Sequence, residues 1–107
     1  MKQAVLLAVF IGIILVACSN GVSTAVEQAA INDFTKAIQL DPDYAKAYNN
    51  RGNSSANLGQ YQRAIEDFDK AIQLDPNDAL TYDNRGLAYD ALGQDAEANA
   101  DQAKACS

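Results

Sequence analysis

Residues 33–52, DFTKAIQLDPDYAKAYNNRG, and residues 67–86, DFDKAIQLDPNDALTYDNRG, agree at fourteen of twenty positions across an offset of 34. The register continues outside that window. Ala30, Ala64 and Ala98 stay in step, as do Leu58-Gly59-Gln60 and Leu92-Gly93-Gln94. A fixed period of this length marks a structural unit whose copies stack on one another.

Punctuation divides the period into helices. Thr24-Ala25-Val26-Glu27 has the spacing of a capping box, and a first helix is predicted from Ala25 to Leu40. Asp41-Pro42 stops it, because Pro lacks the amide that would continue the ladder. A second helix is predicted over Tyr44 to Leu58, closed by Gly59, which can take the left-handed conformation at a helix end. A third runs from Tyr61 to Leu74 and stops at Asp75-Pro76. A fourth runs from Ala79 to Leu92 and ends at Gly93, and a fifth covers Asp95 to Ala105. Alanine-rich helices pack closely but fill little volume. Tyr and Phe must therefore supply most of the buried area, with Ala and Gly at the crossings.

Two helices per 34 residues resemble the tetratricopeptide repeat. Residues 45–78 carry its signature. Tyr48 stands for the aromatic of the first helix, and Gly52 for the small residue where the helices cross. Gly59-Gln60-Tyr61 is the turn, Ala64, Phe68 and Ala71 form the seam of the second helix, and Pro76 ends the unit. Residues 79–107 match as an incomplete second copy through Tyr82, Gly86, Tyr89, Gly93, Ala98 and Ala105. Residues 25–42 match a lone second helix through Ala30, Phe34, Ala37 and Pro42. The resemblance implies an all-α superhelical solenoid of about two and a half repeats and five helices.

The sequence departs from that pattern at several places. Arg51 and Arg85 stand where a Leu usually precedes the crossing glycine. Ser55 takes the place of an aromatic, which Tyr89 restores in the next copy. In the last helix the seam aromatic is Gln102, and the turn tyrosine is Asp95. A polar, alanine-rich last helix suits a solvent-facing cap, and it equally suits a truncated repeat. Asp33, Asp67 and Asp101 share the 34-residue step. Each Arg thus has a repeating Asp before and after it, and a ladder of Arg–Asp pairs is predicted in place of the lost Leu contact.

The start of the chain is organised differently. Lys2 is followed by an uncharged run from Ala4 to Ala17, AVLLAVFIGIILVA. This fits the apolar core of a signal peptide and falls short of the roughly 20 residues that a membrane span needs. Leu15-Val16-Ala17-Cys18 resembles the lipobox of bacterial lipoproteins. The resemblance implies a signal peptide over residues 1–17, acyl chains on Cys18 and a lipidated linker over residues 18–24. It places the protein in the bacterial cell envelope. Ser19, in place of an Asp, implies the periplasmic face of the outer membrane if the cell is Gram-negative. Two or more acyl chains hold a protein stably on a bilayer. Cys18 and Cys106 could instead form one disulfide. Cys106 near the chain end is expected to be a small packing residue, with a free thiol as the alternative.

The charge balance narrows the function. Fourteen acids face eight basic residues for a formal charge of −6, and removal of residues 1–17 deepens it by one unit. Such acidity argues against nucleic acid. The sequence has no His, hence no His-based general base, triad or zinc site. The pairs Asp41/Asp43, Asp67/Asp69 and Asp75/Asp78 lack the alternating ligands, Gly and Glu of a calcium loop. They are expected to serve as caps and turns. No cofactor or metal is expected, and no enzyme activity.

The resemblance places binding on the first helix of each unit, which lines the concave face. Asn50 and Asn84 recur at the step of 34 and are similar to asparagines that hold an extended peptide backbone, since an amide both donates and accepts. Lys46, Asn49, Asn53, Asp83 and Leu87 are expected beside them. The expected partner is a protein or an extended peptide, engaged by a membrane-anchored scaffold or adaptor. Two and a half repeats lie near the lower limit for independent stability, so self-association is also expected. The alternatives are a truncated remnant without a function of its own and, more remotely, a small hydrolase using the acids.

Overall fold

The structure, a computed structural model, describes residues 24–107. Among the described residues the fold is all-α. Five helices follow one another: α1 over residues 24–40, α2 (Ala45–Asn57), α3 (Tyr61–Leu74), α4 (Ala79–Ala91) and α5 (Asp95–Cys106). Helix α2 packs on α3 and α4 on α5 as two hairpins, and α3 joins them by packing on α4. Cys18, the lipobox and residues 1–17 lie outside the described residues. Among those described, no helix is long and apolar enough to cross a membrane.

The turns follow from the sequence punctuation. Gly59 and Gly93 adopt φ of 77° and 75°. After α2, Gly59 N donates to Ala56 O and Gln60 N to Ser55 O, both at 2.9 Å, which satisfies carbonyls that a helix end leaves free. The same bonds recur after α4, from Gly93 N to Asp90 O and Gln94 N to Tyr89 O. The acids at the Pro turns are used locally, as expected, whereas Asp67 and Asp69, expected to serve in caps or turns as well, lie inside α3 and pair with Arg51 and Arg85. Asp41 accepts from the Asp43 amide, Asp75 from the Asn77 amide, and Asp78 caps α4 by accepting from Leu80 N and Thr81 Oγ1. Helix α1 is already under way at Thr24, and the Glu27 carboxylate accepts from Asn57 Nδ2.

The core is the α2–α3–α4 junction. Ala64, Ile65, Phe68 and Ala88 are buried together, with Ala56, Tyr61 and Tyr89 packed against them. Phe68 lies directly beneath Gly52, where a Cβ would stand 2.7 Å from its ring. At the equivalent crossing in the second unit, Gly86 meets Asp101 and the flexible Gln102. Among the described residues no helix stands ahead of α1. Ala30, Phe34 and Ala37 are only half-buried, whereas their equivalents Ala64, Phe68 and Ala71 are fully buried. At the other end, α5 buries Ala98 and Asp101 alone. Cys106 is exposed and carries a free thiol, which corrects its expected packing role: among the described residues no helix covers the last turn of α5.

The predicted ladder exists, with one correction. Arg51 makes a two-pronged ion pair with Asp67 (Nε to Oδ2 2.9 Å, Nη2 to Oδ1 2.8 Å). Arg85 does the same with Asp101 at 2.8 and 2.7 Å. In the backward direction the partners are not Asp33 and Asp67. They are Thr35 Oγ1 at 3.3 Å for Arg51 and Asp69 Oδ1 at 2.8 Å for Arg85. Thr35 and Asp69 are themselves 34 residues apart. Two residues along a helix turn a side chain by about 200°, so position 33 faces away while position 35 faces the Arg. Each guanidinium also lies near tyrosine rings: Arg51 near Tyr48, and Arg85 near both Tyr82 and Tyr89.

The electrostatics match this geometry. The hydrogen bond that Arg51 donates to Asp67 holds the Arg51 pKa above its ordinary value, against the opposing effect of burial. Arg85 is raised too, first by Asp101 against burial and then by Asp69. Burial raises the Tyr89 phenol, the Asp69 charge adds to this, and Arg85 opposes it.

Candidate functional site

The α2–α4 surface is built from positions that recur every three or four residues on each helix. Helices α2 and α4 face one another across a groove of about 540 Å³. Asn53, Ala56 and Asn57 line it from α2, Asn84, Leu87, Ala88 and Ala91 from α4, and Tyr61 at the start of α3. The groove is open, and its wall mixes amides with small or apolar side chains. No charged side chain lines it.

Three of the seven residues expected from the sequence meet here: Asn53, Asn84 and Leu87. Asn84 Nδ2 donates to Asn49 Oδ1 at 3.2 Å, so Asn49 is a buried brace between the two helices. That pairing fixes the Asn84 amide and leaves its carbonyl oxygen as an acceptor. Asn50, Lys46 and Asp83 are exposed but lie outside the groove wall. The recurrence of Asn50 and Asn84 at the repeat step thus does not give them equal surroundings. Ala56, Asn57, Tyr61, Ala88 and Ala91 are not among the binding residues expected from the sequence. Asn57 and Ala91 stand four residues after Asn53 and Leu87, and that helical spacing is the signal that could have found them.

The apolar part of this surface belongs to α4. Leu80 and Leu87 are 59% and 57% exposed. Their separation of seven residues is two helical turns, so they share one face. Among the described residues, no group of three or more His, Cys, Asp or Glu side chains converges to hold a metal ion.

Comparison with known proteins agrees with the repeat geometry. The tetratricopeptide repeat family matches residues 45–78 and again 68–98, and a further TPR repeat family matches residues 28–59. No curated protein sequence matches the chain. Among solved structures, the crystal structure of MamA is 36% identical with a TM-score of 0.72, covering 75% of this chain and 47% of MamA. This chain therefore spans less than half the length of that protein. The TPR domain of Arabidopsis OM64 is 33% identical with a TM-score of 0.74, covering 76% of this chain and 67% of that domain. The second TPR of Spaghetti (RPAP3), bound to the HSP90 peptide SRMEEVD, is 29% identical with a TM-score of 0.73. It covers 75% of this chain and 74% of that one. With its 34-residue step, helical hairpins and crossing glycines all in place, the chain belongs to the tetratricopeptide repeat family.

Proposed function

We propose that this protein is a non-catalytic interaction module, held on the bacterial cell envelope by acyl chains on Cys18, that binds a protein or extended peptide along the α2–α4 face. One observation carries the reading. The groove presents two amides, Asn53 and the Asn84 amide held by Asn49, beside an exposed leucine, Leu87. Amides can satisfy the free donors and acceptors of an extended backbone, and an apolar side chain gives it an anchor. The peptide seated on the related Spaghetti domain supports the same use of the fold. Scaffolding or recruitment at the membrane follows if lipid fixes one end of the chain while the groove stays free. Self-association belongs to the same proposal, because a second copy could cover the half-buried Phe34 face of α1.

A photo-crosslinking residue placed at Leu87 tests the groove against one placed at Glu66, an exposed α3 position outside it. Adducts from position 87 alone are expected in intact cells. Equal yields from both positions refute the concave-face reading. Labelling of cells with an alkyne fatty acid tests the anchor. Incorporation that is lost in Cys18→Ala is expected, and undiminished labelling of that variant refutes lipidation at Cys18.

A further inference from the structure

The rims of the groove differ from its floor. Asp83, Leu87 and Asp90 follow one another at i, i+4 and i+7 on α4, so they share a face, and all three are exposed. Across the groove, Asn57 Nδ2 donates to Glu27 Oε1 at 3.0 Å, which places a carboxylate beside the opposite wall. The cations of α2 and α4 do not offset these acids. Arg51 and Arg85 are bound to Asp67, Asp101 and Asp69. That leaves Lys46, in the first turn of α2, as the one remaining basic residue on these two helices.

We propose that the groove selects an extended peptide that is both basic and apolar. An aliphatic or aromatic side chain of the partner sits on Leu87, and Lys or Arg residues flanking it face Asp83 and Asp90. This deepens the peptide-binding reading above and rests on it. Charge complementarity decides the occupant. The floor is uncharged, so it sets no sign, whereas the rims attract cations and repel carboxylates. The Tyr61 ring in the wall adds an electron-rich surface that also favours a cation. An acidic peptide would bring like charges to both rims.

The test is selection of blocked random nonapeptides on the full-length chain in detergent, with Leu87→Lys as control. Leu87 is 57% exposed, so this substitution leaves the packing untouched. The expected pool pairs Leu, Ile, Val or Phe with nearby Lys or Arg and binds more weakly as salt is raised. Asp83→Asn/Asp90→Asn should weaken the selected peptides by about 3- to 10-fold and flatten their salt dependence, as two exposed pairs allow. An acidic or uncharged pool, or unchanged binding by the double variant, overturns the charge inference and leaves the groove a peptide site. A pool no richer than that from Leu87→Lys overturns both this inference and the reading beneath it.

Discussion

Gly52→Ala and Gly86→Ala make the same chemical change at equivalent positions of two repeats, yet they should have different outcomes. At Gly52 a new Cβ would stand 2.7 and 2.9 Å from two ring carbons of Phe68 and 3.1 Å from the Ala64 carbonyl oxygen. Carbon atoms ordinarily rest about 3.5–4.0 Å apart. Phe68 is fully buried and the carbonyl belongs to a helix, so neither can yield cheaply. Overpacking of this kind costs about 1–3 kcal/mol. Against it stands a gain of about 1 kcal/mol for replacing Gly by Ala inside a helix. Because both neighbours are rigid, a net loss of about 1–2 kcal/mol is expected. At Gly86 the neighbours are Asp101 Cβ at 3.2 Å, the Ala98 carbonyl at 3.3 Å and Gln102 Cγ at 3.6 Å. Gln102 is exposed, and α5 can shift by a few tenths of an ångström because no described helix lies on its far side. The propensity gain should then offset the crowding, leaving stability unchanged or raised by up to about 1 kcal/mol. Urea unfolding followed by far-ultraviolet circular dichroism measures both. Equal losses in the two variants, or a stabilised Gly52→Ala, would refute this account of the crossings.

Three further outcomes are expected. A double-mutant cycle between Arg85 and Asp101, whose side chain is 6% exposed, should give a coupling of about 1–2 kcal/mol, and the cycle between Arg51 and Asp33 a coupling near zero; a larger coupling to Asp33 would restore the partner expected from sequence. Ser55→Ala should stabilise the fold by up to about 1 kcal/mol, because the fully buried Ser55 hydroxyl has no hydrogen-bond partner among the described residues; a loss of stability would reveal a bond this structure lacks. The native Tyr89 phenol holds its proton more tightly than the unfolded one, so stability should fall as pH rises through the ordinary tyrosine range near 10. Urea midpoints across that range should fall less steeply in Tyr89→Phe, and equal slopes would count against the shift.

The helices were legible because their punctuation is chemical. Pro42 and Pro76 cannot extend a ladder, and Gly59 and Gly93 supply the positive φ that ends α2 and α4. The observed ends of α2 to α5 lie within one residue of expectation. The forward half of the charge ladder was legible for the same reason, since Arg and Asp repeat together. The backward half was not. Thr35 and Asp69 share a position but not a residue type, so an identity search passes over them although both bond the Arg of the next helix. The groove was legible only in part. A repeat step identifies equivalent backbone positions, but burial depends on what each unit has for neighbours. Asn49 is buried and bonded to Asn84, while its equivalent Asp83 is exposed because no further hairpin packs on it among the described residues.

The two guanidinium clamps bear on more than the strength of the stack. A seam of alanines is smooth, and one hairpin could swivel on the next with little change in buried area. A planar two-pronged pair tolerates no such rotation. Arg85 grips α3 through Asp69 and α5 through Asp101 at once, so it sets the pitch at which successive hairpins follow one another. Pitch in turn sets the distance between α2 and α4. The width of the cleft is thus governed by side chains that never touch its contents.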